Sequence, residues 1–252
     1  MFAARSALVF AACLLLITLT ATAVAGQAGL SADRELEIIL DASGSMNGKL
    51  AGGQRRIDAA KSAVERWLEG IPDSTEIAFR AYGHQAPREQ HDCQDTELLV
   101  DFGSIEDQKA AVLDASRGLV AQGYTPISYA LEQAAGDFSK TPTIGHSIIL
   151  VSDGKETCEG DPCAVAQALA EADAELVIHT VGFGVDDSTR SQLECIARMG
   201  RGAYFSASDA DSLAVVLAEA VETASVENNA DEGQGWLEVK GADLSGHRVT
   251  DA

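Results

Sequence analysis

The sequence predicts an α/β domain in which a mostly parallel sheet is covered by helices on both faces. Short apolar runs rich in Ile, Leu and Val alternate along the chain with amphipathic segments whose apolar residues recur at helical spacing. Such alternation is typical of doubly wound sheets with helices on each side. The length, 252 residues, allows one sizeable domain of this kind together with shorter segments.

Turn and capping residues separate the predicted elements. Ser104 and Asp161 are predicted helix N-caps, and Pro162 suits the first helical position. The strand at 98–102 follows its neighbour through a loop instead of a helix, so we expect it to be antiparallel. The strands are predicted at residues 36–40, 76–82, 98–102, 146–151, 176–182 and 203–206. The helices are predicted at residues 57–68, 105–119, 127–138, 162–172, 191–199 and 213–221.

The first strand ends in an oxygen-rich loop. Asp41 closes the apolar run, and Ser43 and Ser45 follow at alternate positions. Ligands of open α/β sheets bind beyond the carboxyl ends of the strands, where these side chains are expected. One carboxylate and two hydroxyls within five residues suit a hard divalent cation. Asp and Ser are also common in ordinary turns, so this loop alone leaves both interpretations open.

Two later stretches favour the metal site. Thr125 lies in the turn Gly-Tyr-Thr-Pro just before a predicted helix, and Asp153 follows a second buried strand in the sequence Ser-Asp-Gly. Together with the Asp-x-Ser-x-Ser loop, these stretches resemble the metal-ion-dependent adhesion site of von Willebrand factor type A (VWA) domains. The resemblance covers about residues 33–225, with the motifs in the family's order.

The resemblance implies both a sheet topology and a ligand set. The implied sheet has six strands in the order 3-2-1-4-5-6, with one antiparallel edge strand. The cation, Mg²⁺ or alternatively Mn²⁺ or Ca²⁺, would keep an open position that an Asp or Glu of a partner protein completes. Asp153 would contact the cation through water. The implied metal ligands are Asp41, Ser43, Ser45, Thr125 and Asp153.

Enzyme interpretations fit the same loop less well. A phosphatase of the Asp-x-Asp type would need a second acid at Ser43, and a Gly-x-Ser-x-Gly hydrolase motif does not match residues 42–45. We therefore expect a binding module for adhesion or assembly and not an enzyme. A structural or scaffold subunit with a non-essential metal site is the first alternative. A metal-assisted hydrolase is the second.

Charge and the N-terminal segment bear on partners and compartment. The net charge of −21 argues against nucleic acid and anionic lipid as partners. Residues 1–25 have a basic start at Arg5, an apolar stretch and an Ala-Val-Ala cleavage site ending at Ala25, which predicts a signal peptide. Its apolar core is short for a membrane span. We expect a secreted or periplasmic mature chain without membrane insertion; an uncleaved anchor is the alternative.

The cysteine count predicts two disulfides. The sequence has five cysteines, and Cys13 lies within the predicted signal peptide, so four remain in the mature chain. An even number of cysteines in an exported chain favours disulfides, and four cysteines allow three connectivities. A zinc site is disfavoured because no His stands at the usual ligand spacing. We favour Cys93–Cys158 with Cys163–Cys195, and a direct Cys158–Cys163 bond is the main alternative. The remaining cysteines are Cys93, Cys158, Cys163 and Cys195.

Three further segments carry weaker expectations. Residues 226–235 are expected to be an acidic linker, and residues 236–252 the start of a further β segment or second domain. Arg80, inside the second strand, is expected to be an edge or snorkelling side chain. The polar segment 84–96 is expected to be a solvated loop pinned by a disulfide. Alternatively, its titratable side chains shape binding specificity: His84, His91, Asp92 and Asp95.

Overall fold

The computed structural model describes residues 34–71, 75–140 and 145–226. The predicted signal peptide and C-terminal β segment lie outside the described residues, as does the predicted linker apart from Val226. The strands are β1 Arg34–Asp41, β2 Glu76–Tyr82, β3 Thr96–Ser104, β4 Gly145–Ser152, β5 Leu176–Phe183 and β6 Arg201–Ala207. The α-helices are α1 Arg56–Gly70, α2 Ile105–Gly118, α3 Ile127–Asp137, α4 Pro162–Ala172, α5 Asp187–Met199 and α6 Ala210–Val226.

The six strands form one sheet in the order β3-β2-β1-β4-β5-β6. β3 pairs antiparallel with β2, and the other pairings are parallel. This confirms the fold class, the strand order and the antiparallel edge. β1 lies between β2 and β4, so the chain winds outward in both directions from β1 and the sheet has its topological switch point there. Leu40 pairs with Val151, which brings Asp41 and Ser152 to the same edge.

Helices bury each face of the sheet in a separate apolar layer. On β1, Ile38 and Leu40 face the layer formed with α1, α2 and α6, whereas Ile39 faces the layer formed with α3, α4 and α5. Every residue of β4 and β5 is buried. A central parallel strand is buried on both faces, which is why these segments are continuous apolar runs in the sequence.

The ends of several elements differ from the prediction. Ser104 and Asp161 cap α2 and α4 as expected. However, α5 begins four residues before its predicted start, because the Asp186 side chain accepts from the backbone N–H of Thr189 and caps a polar first turn. β6 begins at Arg201, two residues before its predicted start. The first residues of α5 and β6 include few apolar side chains, so the apolar periodicity did not reveal where these elements begin.

Arg80 is not an edge or snorkelling residue. It is 4% exposed, and its Nε donates to Glu37 Oε1 at 2.8 Å. Its Nη2 donates to Asp137 of α3. β3 extends the sheet beyond β2, and α3 contacts both strands, so the Arg80 side chain is enclosed and finds its partners inside the domain.

Candidate metal centre

Asp41 is fully buried at the end of β1 and fixed by two hydrogen bonds. Its Oδ1 accepts from the backbone N–H of Ser43 at 2.8 Å, and its Oδ2 accepts from the Ser152 hydroxyl at 2.7 Å. Ser152 in turn accepts from the Tyr82 hydroxyl at 3.0 Å. Burial raises the pKa of Tyr82, and the charge of Asp41 adds to the shift, so Tyr82 stays a neutral donor. The carboxylate is therefore held at the joint ends of β1, β2 and β4.

The two serine hydroxyls and Asp153 form a continuous hydrogen-bonded chain. Ser43 Oγ and Ser45 Oγ are 2.9 Å apart, and Ser45 Oγ donates to Asp153 Oδ1 at 2.6 Å. Ser45 lies in a 3-10 turn over Gly44–Asn47, whose Met46 side chain is buried and anchors the turn on the apolar layer. The structure thus brings together three of the residues predicted from separate motifs.

Thr125 borders the same space. A side-chain carbon added at Gly154 would lie 3.3 Å from Ser45 Oγ and 3.9 Å from Thr125 Oγ1, so both hydroxyls face one position beside Asp153. The backbone N–H of Thr125 donates to the Thr157 hydroxyl at 2.8 Å, and its carbonyl accepts from the Thr157 N–H at 3.1 Å. Thr125 is therefore fastened to the loop that follows β4.

The Thr125 turn is also fastened to the first loop. The backbone N–H of Gly44 donates to the Gly123 carbonyl at 2.9 Å, next to a β-bridge between Ser43 and Gly123. The loops after β1 and β4 and the turn before α3 thus hold one another directly. Four of the five predicted metal ligands lie on these three segments, and the fifth, Asp41, is the last residue of β1.

The donor set fits a hard divalent cation. It consists of two carboxylates and three hydroxyls, all oxygen ligands. Burial, followed by the charge of Asp41, raises the pKa of Asp153 to about 7, because both disfavour a second negative charge at this position. Among the described residues, no three His, Cys, Asp or Glu side chains come together as a metal cluster. A metal site here therefore depends on the hydroxyls as well as on the acids.

Arg56 is a site residue that the sequence analysis did not identify. It is the first residue of α1, and its Nη1 donates to Asp153 Oδ2 at 3.1 Å. Its Nη2 donates to the Gly184 carbonyl, also at 3.1 Å. Arg55 precedes it with the same side chain but forms an exposed pair with Asp58. Nothing local distinguishes the two arginines, since the contact that matters is with a residue 97 positions away.

Two disulfides join the four predicted cysteines in the favoured pairing. Cys93 and Cys158 link the β2–β3 loop to the loop after β4, with their Cα atoms 5.6 Å apart. Cys163 and Cys195 link α4 to α5, with a Cα separation of 5.7 Å. The loop that carries Asp153 is therefore covalently attached to the β2–β3 loop, and the helix that follows it is attached to α5.

The β2–β3 loop, which we expected to be solvated, is held together by internal hydrogen bonds. Asp95 is 1% exposed and accepts hydrogen bonds from three consecutive backbone N–H groups, between 3.0 and 3.3 Å. The solvated interpretation is therefore wrong for Asp95, which organises the loop from within. The donors are His84, Gln85 and Ala86.

The outer part of this loop packs beside Thr125. His91 Nδ1 and the Tyr124 hydroxyl are 2.6 Å apart, and the Arg88 guanidinium lies 4.8 Å from the centre of the Tyr124 ring. His91 and Asp92 are exposed and His84 is partly buried. The predicted role of these side chains in specificity stays a prediction.

The strand order, the switch point and the oxygen-rich loops define a VWA-type α/β domain. The model of the von Willebrand factor type A domain matches residues 35–219, and the chain belongs to this family. It is similar to the uncharacterized protein YwmD of Bacillus subtilis, with 30% identity over 205 residues, 78% of this chain and 88% of the relative.

Solved structures share the fold. The pilus adhesin SpaC of Lactobacillus rhamnosus GG matches with a TM-score of 0.62 at 15% identity, over 77% of this chain and 31% of SpaC. The vWF domain of the type V pili tip protein Mfa5 of Porphyromonas gingivalis matches with a TM-score of 0.59 at 15% identity, over 79% and 97% of the two chains. In the described part of the chain, no helix has the length and apolar character of a membrane span.

Proposed function

We propose that this chain is a divalent-metal-dependent protein-binding module of the cell envelope or secreted space. The ligands are Asp41, Ser43, Ser45, Thr125 and Asp153, and the cation is Mg²⁺, with Mn²⁺ and Ca²⁺ as alternatives. When bound, the cation supplies positive charge for an Asp or Glu side chain of the partner protein. The hydrogen-bonded chain from Ser43 through Ser45 to Asp153 is the observation that carries this proposal.

The residues around the site support binding of a carboxylate ligand. Asp41 is already engaged by two donors, and one oxygen of Asp153 is engaged by Ser45 and the other by Arg56. These hydrogen bonds take up part of the negative charge of the two carboxylates, so the carboxylates neutralise a cation held here incompletely. An incompletely neutralised cation attracts an additional anionic ligand.

Binding is favoured over catalysis by the partners of the serine hydroxyls. Within the described residues, Ser43 Oγ and Ser45 Oγ contact each other, Ser45 Oγ also contacts Asp153, and no histidine is hydrogen-bonded to either hydroxyl. A serine nucleophile is normally activated by an adjacent base that abstracts its proton. Here the neighbouring groups hold the hydroxyls in place for a cation.

The two disulfides support an extracytoplasmic location. Such bonds persist in oxidising compartments and are rare in the reducing cytosol. The pilus adhesin SpaC and the pili tip protein Mfa5 share the fold, which is consistent with a role in protein interaction. The signal peptide at residues 1–25 stays a prediction, and its cleavage can be read from the N-terminal sequence of the exported protein.

Calorimetry with Mg²⁺, Mn²⁺ and Ca²⁺ on the purified protein tests the metal site. We expect saturable binding to the wild type that Asp41→Ala abolishes. Asp114→Ala is the matched control, because Asp114 is exposed on α2 and far from the loop in sequence. Absence of saturable heat with all three cations would refute the proposal.

A pull-down from an extracytoplasmic extract tests the binding role. We expect partner capture that EDTA and Asp41→Ala both remove. Capture that persists under both conditions would favour a scaffold whose metal site is non-essential. Hydrolysis of a phosphoester or peptide that disappears in Asp153→Ala would instead favour a metal-assisted hydrolase.

A further inference from the structure

Arg56 lies beside the candidate metal centre and contacts one of its proposed ligands, unlike an arginine on the solvent-facing surface of a helix. Its side chain is 24% exposed, whereas the Asp153 side chain that it contacts is fully buried. The guanidinium spans Asp153 Oδ2 and the Gly184 carbonyl, so it connects the loop after β4 to the loop after β5. Arg56 therefore belongs to the surroundings of the site and not to the solvent-facing side of α1.

Two glycines leave room for this guanidinium. A side-chain carbon at Gly48 would come within 2.5 Å of Arg56 Nη1, and one at Gly184 would lie 3.3 Å from Arg56 Nε. Gly184 also has a φ of 63°, which disfavours other residues there. The Gly48 carbonyl accepts from the backbone N–H of Arg56 at 2.8 Å, which fixes the start of α1 beside the first loop.

Arg56 and Ser45 each donate to a different oxygen of the Asp153 carboxylate. Asp153 Oδ1 accepts from Ser45, on the side of the proposed cation, and Oδ2 accepts from Arg56. A guanidinium stays protonated at all relevant pH values, so this positive charge is permanent. One of the two carboxylates of the site is thereby paired before any cation enters.

We infer that Arg56 is a resident counter-cation that lowers the affinity of the site for a divalent ion. The inference rests on the metal-binding function proposed above. A cation held by Ser45 and Asp153 and the guanidinium on the other oxygen of Asp153 repel each other across a poorly solvated region. The same arrangement leaves more charge on the bound ion for the carboxylate of a partner.

Calorimetric titration with Mg²⁺ tests this inference directly. We expect Arg56→Gln to bind Mg²⁺ more tightly than the wild type, by about tenfold or more, since removing a nearby like charge removes repulsion. Arg56→Lys keeps the charge and should stay within about twofold of the wild type. Arg55→Gln is the matched control, because Arg55 is adjacent in sequence and pairs with Asp58 at the surface. Arg56→Met, which also removes the charge, should behave as Arg56→Gln.

Thermal unfolding supplies a readout without metal. In EDTA, we expect Arg56→Gln to unfold at a lower temperature than the wild type, because buried Asp153 loses its partner. Adding Mg²⁺ should raise the unfolding temperature of Arg56→Gln more than that of the wild type. Combining Arg56→Gln with Asp153→Asn should remove the difference seen in EDTA.

Equal or weaker Mg²⁺ binding by folded Arg56→Gln and Arg56→Met would overturn the counter-cation role while leaving the metal site intact. Tighter binding by Arg56→Lys to the same degree would also overturn it, because charge would then not be the cause. Absence of Mg²⁺ binding in the wild type and every variant would refute the proposed function, and this inference with it.

Discussion

Ser45 and Asp153 are 108 positions apart in the chain, yet a 2.6 Å hydrogen bond joins their side chains. The bond connects the loop after β1 to the loop after β4, the two strands that meet at the switch point of the sheet. Parallel pairing of β1 and β4 therefore places a hydroxyl and a carboxylate side by side. This relationship turns two separate sequence motifs into one site.

Replacing Ser45 should weaken metal binding without unfolding the domain. Ser45→Ala removes a proposed ligand and also frees Asp153 Oδ1 from its hydrogen bond. We expect Mg²⁺ affinity measured by calorimetry to fall by at least about tenfold. Ser62→Ala is a suitable control, since the Ser62 hydroxyl donates to the Asp58 carbonyl four residues earlier in α1. Unchanged affinity in Ser45→Ala would argue against a direct role of this hydroxyl.

The Cys93–Cys158 disulfide should support the metal site as well as the fold. Replacing both cysteines by serine opens a closed segment with a sequence separation of 65 and should lower the free energy of unfolding by up to about 4 kcal/mol. It also releases the loop that carries Asp153 and Thr157 from the β2–β3 loop. We therefore expect weaker Mg²⁺ binding in addition to lower stability.

The second disulfide provides the comparison for that experiment. Replacing Cys163 and Cys195 should cost a similar unfolding free energy, because their sequence separation is 32 and the dependence on loop length is slow. This bond joins α4 to α5 and leaves the Cys93–Cys158 link in place. Equal losses of Mg²⁺ affinity in the two double variants would contradict a specific role for Cys93–Cys158.

Asp95 should be a structural residue of the β2–β3 loop. Asp95→Ala leaves three backbone N–H groups without their acceptor, so chemical denaturation should show a loss of about 2–3 kcal/mol. Asp95→Asn retains one acceptor oxygen and should lose less. Asp92→Ala is the control in the same loop, because Asp92 is exposed and accepts a local hydrogen bond from the Gln94 N–H. A loss in Asp92→Ala as large as in Asp95→Ala would refute this role.

The elements that could be predicted from the sequence are those whose signal is local. The apolar runs of β1 and β4 end in Asp41 and Ser152-Asp153. A buried strand followed by turn residues can be predicted from the sequence alone. Their adjacency in the sheet is not local information and came from the resemblance to the VWA family. Once adjacency is known, the three motifs converge on one edge.

The residues that could not be predicted are those with distant partners. Arg56 and Arg55 are indistinguishable in sequence, and only tertiary packing directs Arg56 to Asp153. Arg80 was misinterpreted because a charge within a strand most often marks an edge, whereas its partner Glu37 is 43 positions away. The partners of a buried charge are brought together by the tertiary fold, so no periodic pattern in the sequence marks them.

Arg80 should therefore be important for stability. Arg80→Met removes the donor that serves both Glu37 and Asp137, and we expect the unsatisfied acceptors to cost about 2–3 kcal/mol in urea denaturation at pH 7. Arg66→Met is the matched control, because the Arg66–Asp211 pair is exposed and should contribute little. Equal stability of the two variants would show that the buried pair contributes no more than a surface pair.

The same variant should respond to pH in a defined direction. Burial raises the pKa of Glu37 from 4.5 to about 8, and Arg80 opposes that rise. Below pH 8, Glu37 keeps its proton in the folded form of both proteins, so their stability difference stays constant. Above pH 8, Glu37 ionises beside Arg80 in the folded wild type, so the free energy of unfolding of the wild type stops falling on account of this group. In Arg80→Met, Glu37 stays protonated, and the free energy of unfolding continues to fall as the pH rises. Urea denaturation from pH 6 to pH 9 should thus show a gap that widens only at the alkaline end, and a gap that narrows there would contradict the assigned role of Arg80.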